Sequence, residues 1–266
     1  MKETYELGVI HSQSMSPEQK FYNLTDSDLQ NLINQFPDKK YFEFAYHQWL
    51  NGKTENLPEE WKEWKPWDKW QYPIHDLIRY KHFLLEHSDL IKDKAVVSIG
   101  SHIGIDVLFC LHLGAKHCIG VEPFEDKNQL ATFICEKAGH NNFLMFTRQL
   151  KDRDVYNPMK DYDTMILGSL MDMIPDHYRL VENIAVTKIK NVIVEMKEYA
   201  DQAELETPLV KYRQHGEDKI QEGPYFPKAD NALHGYPNIA FLKLLFGQFG
   251  YEFQKQKFYN MPEELR

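Results

Sequence analysis

Short apolar runs alternate with helical patterns through the second half of the chain, and this alternation constrains the fold more than any other feature. The runs are AVVSI at 95–99, CIGV at 118–121, TMIL at 164–167 and NVIVEM at 191–196. Each is short, apolar and contains β-branched residues, as buried strands do. Strands that alternate with helices form βαβ units. The sequence therefore predicts an α/β fold with a mostly parallel sheet and helices on both faces.

The same pattern divides the chain into two parts. Helical patterns on both sides of a tryptophan-rich connector predict a helical N-terminal cap over 1–90. The alternating pattern predicts one α/β domain over 91–266. Within it, 201–237 has no clear period and contains several glycines and prolines. A segment of this kind is typical of a lid or a substrate-binding insertion.

Composition narrows the classes of partner. The formal net charge is −9, which disfavours a protein that neutralises nucleic-acid phosphates without excluding one. The sequence has no apolar run that approaches the roughly 18 residues of a membrane span. The start, MKETYELGVIHSQ, has no apolar core of a secretory signal. We expect a cytoplasmic protein with a small-molecule substrate and no membrane partner; the sequence does not indicate an oligomeric state.

Cysteine and histidine spacing indicates no metal site. Cys110, Cys118 and Cys135 lack the C-x-x-C spacing of metal or redox sites, and we expect buried thiols. The chain has 12 histidines, but none of them form H-x-x-x-H or H-E-x-x-H on one helix. Loops for phosphoryl transfer or serine hydrolysis, G-x-x-x-x-G-K-[ST] and G-x-S-x-G, do not occur either.

Two segments carry the strongest chemical signal, VVSIGSHIG at 96–104 and GVEP at 120–123. Gly100, at the end of the first predicted strand of the α/β domain, permits a tight turn under a ligand, and Gly104 permits close approach at a helix start. Glu122 ends the next strand, about twenty residues later, where an acid accepts hydrogen bonds from ribose hydroxyls. The pair of segments predicts a nucleoside cofactor site.

These segments resemble the class I S-adenosylmethionine-dependent methyltransferases, and the phrase GSHIG followed by VEP is similar to the FkbM-type O-methyltransferases. The resemblance spans roughly 90–260 and implies a Rossmann-like domain, S-adenosylmethionine as cofactor, and methyl transfer. The ribose would be held by Glu122. The methionine and ribose part of the cofactor would be lined by Gly100, Ser101, His102 and Gly104.

Two positions depart from the family pattern. Ser98 stands where the family commonly has an acid, and His102 replaces the middle glycine. A dinucleotide-binding dehydrogenase is the competing interpretation, but G-x-G-x-x-G requires a glycine at 102 and a small residue at 105, where this chain has Ile105. A purely structural strand–turn–helix is a further alternative.

The resemblance also assigns residues after the third and fourth strands. In FLMFTRQLKD, Gln149 or Asp152 would meet the adenine amino group, with Leu150 packing on the ring; we choose Gln149. In YDTMILGSLMDMIPD, Gly168 would border the methyl-donor pocket. Asp172 would orient or deprotonate an acceptor hydroxyl, or would only cap the following helix.

Further general-base candidates are His75 and His234. The tryptophan-rich connector before His75 either covers the cleft or anchors the N-terminal helices. The arrangement of this connector, the following helix and the first motif also resembles the wobble-uridine tRNA-modifying methyltransferases. Glu195 ends the NVIVEMK strand and either faces the cleft or forms a buried structural ion pair.

The expected function is S-adenosylmethionine-dependent O- or N-methylation of a small polar acceptor, a sugar or another metabolite. The first alternative is a tRNA-modifying methyltransferase. The second is a non-catalytic scaffold subunit that binds the cofactor without transferring its methyl group.

Overall fold

The computed structural model describes residues 3–11, 83–150, 153–168, 170–171, 174–198, 207–214 and 233–260. Expectations that concern other residues, including the predicted helices and the tryptophan-rich connector between 12 and 82, lie outside the described residues.

Nine strands and four α-helices follow one another along the described chain. The strands are β1 (Glu3–His11), β2 (Ala95–Ile99), β3 (His117–Glu122), β4 (Phe143–Thr147), β5 (Thr164–Gly168), β6 (Asn191–Glu198), β7 (Val210–Gln214), β8 (Leu233–Pro237) and β9 (Tyr251–Asn260). The helices are α1 (Ile105–His112), α2 (Glu125–Lys137), α3 (His177–Thr187) and α4 (Ile239–Gln248). Two 3-10 helices span Leu85–Leu90 and Arg153–Met159.

Seven strands form one sheet in the order β4-β3-β2-β5-β6-β1-β9, and each neighbouring pair runs parallel. Alternate residues of the strands enter different cores. Met165 and Leu167 pack with residues of α3 and α4, whereas Ile166 packs with residues of α1 and α2. The helices therefore cover both faces. The predicted Rossmann-like, mostly parallel sheet with helices on both faces is confirmed.

The first strand lies in this sheet between β6 and β9. Of the predicted cap over 1–90, residues 3–11 are thus a sheet strand and 85–90 a 3-10 helix. The sequence indicates only an extended start for this segment, because a strand far along the chain from its partners has no local signal of its pairing. The helical cap stays a prediction for the rest of the range.

An antiparallel hairpin of β7 and β8 lies within the predicted 201–237 insertion. The residues before β7 and after β8 are joined by Asn238, whose side chain is fully buried. The Asn238 amide oxygen accepts from the backbone N–H groups of Leu209 (3.0 Å) and Phe241 (2.9 Å), and its amide nitrogen donates to the Thr207 carbonyl (2.9 Å). Asn238 thereby caps α4 and holds the start of the hairpin.

Within the described ranges, none of the helices combines the length and the apolar character that a membrane crossing requires.

Candidate functional site

The candidate site lies where the sheet order reverses direction. From β2, the chain continues to β3 on one side, and later to β5 on the other. Because the strands are parallel, their carboxyl ends meet at one edge, and ligands of open α/β sheets bind at this reversal. The loop from Gly100 follows β2, Glu122 ends β3 and Gly168 ends β5. The structure thus brings three of the predicted positions to one edge.

The loop after β2 depends on its two glycines. Gly100 and Gly104 have φ angles of 70° and 79°, in the left-handed region that favours glycine. A Cβ on Gly104 would stand 2.4 Å from the Cβ of Ala131, so only glycine permits the loop to pack this closely on α2. The Gly100 N–H and the Ser101 N–H both donate to the Val121 carbonyl, at 2.9 and 3.1 Å. The loop is therefore tied to the end of β3.

His102, which stands where the family pattern has a glycine, has a left-handed backbone conformation. Its φ is 51°, also left-handed, a conformation that histidine adopts more readily than most non-glycine residues. Its backbone N–H donates to the Glu122 carboxylate at 3.1 Å. The residue that departs from the family pattern in sequence therefore bonds the end of β3 through its backbone.

Glu122 is a buried carboxylate with its oxygens turned towards the loop. It is 5% exposed, and it accepts from the backbone N–H groups of His102 and Phe124 (3.4 Å). The Lys127 ammonium lies 3.7 Å from Oε1. Burial raises the pKa of the Glu122 carboxyl above its ordinary value, and Lys127 and the two backbone donors offset this only in part. A buried carboxylate with a shifted pKa and a specific charged partner marks a functional candidate.

A hydrogen-bond network that the sequence analysis did not identify connects the ends of β3 and β4. The buried Asn128 amide donates to the Glu122 carbonyl (2.8 Å) and to the Thr147 hydroxyl (2.9 Å). The Thr147 hydroxyl in turn donates to the Glu125 carboxylate. The asparagine in the first turn of α2 was the available signal, but nothing in its spacing indicates which strand end it bonds.

Gln149 and Leu150 follow β4. The Leu150 side chain is buried in the core, and its carbonyl accepts from the Tyr156 hydroxyl at 3.1 Å. The side-chain amide oxygen of Gln149 is buried and has no hydrogen-bond partner among the described residues. A buried acceptor without a donor is costly, and a ligand amino group would supply the missing donor.

Two serine hydroxyls are buried beneath the glycine loop. Ser98 Oγ and Ser101 Oγ both lack a hydrogen-bond partner among the described residues. Ser98 pairs in register with Gly120, and Ser101 Oγ lies 2.9 Å from the position of a Cβ on Gly120. The Ser101 hydroxyl is thus turned towards β3.

The remaining predicted site residues differ in what the structure describes. Gly168 is buried at the end of β5, and Leu170 beyond it packs on the glycine loop, 3.1 Å from the position of a Cβ on Gly100. Asp172 and His75 lie outside the described residues. His234 lies in β8 opposite Arg213. The catalytic roles of Asp172, His75 and His234 stay predictions.

The cysteines form no disulfide and are buried: Cys110, Cys118 and Cys135 are free thiols. Burial raises the pKa of Cys110 and of Cys135, which keeps both protonated and unreactive. Across the part of the chain that the structure describes, no group of three or more histidine, cysteine or acidic side chains is arranged to hold a metal ion.

Comparison with known proteins gives matches to methyltransferases, and no protein-family model matches the chain. Protein arginine N-methyltransferase 1 of Saccharomyces cerevisiae is 32% identical over 117 residues, which cover 40% of this chain and 33% of the yeast protein. The protein of the same name from Oryza sativa subsp. indica is 25% identical over 149 residues, covering 55% and 38%. The resemblance to class I S-adenosylmethionine-dependent methyltransferases is confirmed. The matched segments span well under half of these relatives' lengths.

Similar solved structures include the N-terminal domain of EvdMO1 with SAH bound, with a TM-score of 0.46, 12% identity, and coverage of 80% of this chain and 87% of that chain. An S-adenosylmethionine-dependent methyltransferase from Mesorhizobium loti has a TM-score of 0.44 at 12% identity, covering 60% and 74%.

Replacement of Glu122 by glutamine tests its burial. A carboxyl with a folded-state pKa above its ordinary value stabilises the fold below that ordinary value and loses the contribution as pH rises through the folded-state pKa. The stability of Glu122→Gln relative to the natural chain should therefore increase between about pH 4 and pH 7. Urea unfolding across this range measures it. Glu136→Gln, at an exposed position of α2, is the control, and an equal pH trend in both variants would contradict the interpretation.

Proposed function

We propose that the chain binds S-adenosylmethionine at the carboxyl ends of β2, β3 and β4 and catalyses methyl transfer from it. The observation that carries this proposal is the Glu122 carboxylate, buried at the end of β3 and directed at the left-handed turn after β2. A vicinal diol offers two hydroxyl donors, and a carboxylate accepts both. The ribose is the part of the cofactor that this carboxylate recognises.

The other residues of the edge fit the rest of the cofactor. The amide oxygen of Gln149, which has no hydrogen-bond partner among the described residues, accepts from the adenine amino group, and Leu150 follows it on the same loop. Gly100, His102 and Gly104 present their backbone to the methionine and ribose part. Gly168, next to this loop on β5, borders the methyl group.

Bound S-adenosylmethionine supplies an electrophilic methyl group. The chain's own task is then to hold the acceptor in line and to exclude water, which contributes more to such a transfer than a dedicated catalytic group. Leu170 closes the space between β5 and Gly100. For a hydroxyl acceptor, Asp172, His75 or His234 would serve as the base.

The acceptor that we propose first is a small polar metabolite, which suits the net charge of −9. A guanidinium nitrogen is the second candidate, because the curated relatives are protein arginine N-methyltransferases. It is also favoured by Glu195, a fully buried carboxylate at the same sheet edge, directly opposite Gly168 in register. A glycine within a strand leaves room for a ligand to approach, and a carboxylate can accept two parallel N–H donors of a guanidinium.

Isothermal titration tests the cofactor proposal. The natural chain should bind S-adenosylmethionine and S-adenosylhomocysteine but not NAD. Glu122→Ala should weaken both affinities by about 10- to 100-fold, because hydrogen bonds to a charged group contribute about 1.5–3 kcal/mol. Glu136→Ala should bind as the natural chain does. Unchanged affinity in Glu122→Ala, or binding of NAD instead, would contradict the proposal.

Transfer of a tritiated methyl group from S-adenosylmethionine distinguishes the two acceptors. The probes are a synthetic glycine–arginine repeat peptide and a panel of free monosaccharides. Labelled peptide that is lost in Glu195→Gln, with cofactor affinity retained, would support the guanidinium acceptor. Labelled monosaccharide would support the metabolite. Cofactor binding without transfer to either probe would favour the scaffold alternative over the enzyme.

A further inference from the structure

His177 is a buried histidine at the first position of α3, outside the residues that face the cofactor. Its side chain is 2% exposed. Its ring stands edge-on to Phe241 of α4, with 5.8 Å between the ring centroids. The preceding residue, Asp176, caps the helix by accepting from the Arg179 N–H. Helix capping is therefore already provided, and the position of His177 has another use.

The first contact of His177 joins it to the segment after β5. Its Nε2 lies 2.7 Å from the Met171 carbonyl oxygen. A carbonyl only accepts, so Nε2 carries the hydrogen and donates. Leu170, the residue before Met171, packs on the glycine loop at Gly100. A single hydrogen bond thus restrains the segment that closes the space between β5 and the cofactor loop.

The second contact joins His177 to the hairpin. A Cβ on Gly235 of β8 would stand 2.7 Å from His177 Cε1 and 3.2 Å from the Ile174 carbonyl oxygen. The ring is therefore packed directly on the backbone of β8, where no side chain fits. The Tyr212 hydroxyl, in β7 opposite Gly235, donates to the Pro175 carbonyl at 3.3 Å. The hairpin thus contacts His177 itself through Gly235, and it contacts the residues just before His177 through Tyr212.

We propose that His177 is a positioning residue for methyl transfer: it holds the segment after β5 and the β7–β8 hairpin together as one wall of the acceptor site. This inference rests on the proposed function, because that function places the acceptor beside β5. The wall then has a fixed distance from the glycine loop through Leu170. The base of the insertion forms part of the acceptor site, and acceptor selection depends on it.

The chemistry of His177 suits a positioning role and not that of a base. Burial lowers its pKa, which the Met171 and Gly235 carbonyls and Asp176 offset only in part. Its Nε2–H is engaged by Met171, and the ring is closed off from solvent. An acceptor hydroxyl has no access to it.

His177→Phe retains an aromatic ring at this position and removes the N–H that donates to the Met171 carbonyl. We expect kcat/KM for the methylated probe, peptide or monosaccharide, to fall by about 10- to 100-fold, as small misplacements near a reacting centre do. The affinity for S-adenosylhomocysteine should change by less than about twofold. Amide hydrogen exchange should increase together at Leu170–Met171 and at Gly235–Tyr236. His177→Gln, which retains an N–H donor, should recover part of kcat/KM.

His117→Phe is the matched control. His117 also packs edge-on to an aromatic ring at 5.8 Å, and its Nδ1 hydrogen-bonds the Tyr162 hydroxyl at 2.8 Å. His117 is the first residue of β3 and lies at the amino ends of the strands, away from the candidate site at their carboxyl ends. The value of kcat/KM should therefore be unchanged. Gly235→Ala, which displaces the ring from β8, should reproduce the loss seen in His177→Phe.

Three outcomes would overturn the inference: an unchanged kcat/KM in His177→Phe, a parallel loss of cofactor affinity, or an exchange increase in only one of the two segments. If the natural chain binds no S-adenosylhomocysteine, the proposed function fails. Hydrogen exchange on the chain alone still shows whether His177 links the two segments.

Discussion

The candidate site depends on one hydrogen bond, in which the His102 backbone N–H donates to the Glu122 carboxylate. It joins the turn after β2 to the end of β3, while the Gly100 and Ser101 N–H groups bond the adjacent Val121 carbonyl. Burying a carboxylate costs free energy unless donors surround it. The left-handed turn supplies one of those donors, and its conformation is in turn tied to β3. The site is therefore assembled by the same contacts that close the sheet edge.

Close packing of backbone and side chains shapes this sheet edge as much as charge does. Gly104 lies against Ala131, and Leu170 lies against Gly100. These contacts bring α2 and the segment after β5 up to the same loop from two sides. His177 and the hairpin then stand behind Leu170 and Met171. The glycine loop at 100–104 and the proposed acceptor wall are thus packed together through Leu170. We therefore expect a substitution in the hairpin to alter the position of the acceptor beside the methyl donor.

Much of the fold was predictable because local sequence patterns specify it. Buried strands such as AVVSI and TMIL carry their signal in a few consecutive residues, and Gly100, Gly104 and Glu122 meet because parallel strands end at one edge. The pairing of β1 with β6 and β9 joins residues far apart in the chain, and no local pattern encodes it. For the same reason the hairpin within 201–237 escaped prediction.

The unpredicted parts of the site are contacts between elements. Asn128 and Thr147 belong to α2 and β4, and His177 bonds a carbonyl six residues earlier while packing on β8. Each is an ordinary polar residue until the tertiary fold supplies its partner. Ser98 illustrates the opposite case. The sequence shows that the family's acid is missing there, and the structure shows a buried hydroxyl that has no hydrogen-bond partner among the described residues.

The most direct test of the account is a crystal structure of the chain with S-adenosylhomocysteine bound. The account predicts both ribose hydroxyls on the Glu122 carboxylate, the adenine amino group on Gln149, and the homocysteine end over the Gly100 turn. A ligand located elsewhere, with Glu122 still contacted by the His102 and Phe124 N–H groups and Lys127 and by no ligand atom, would contradict it.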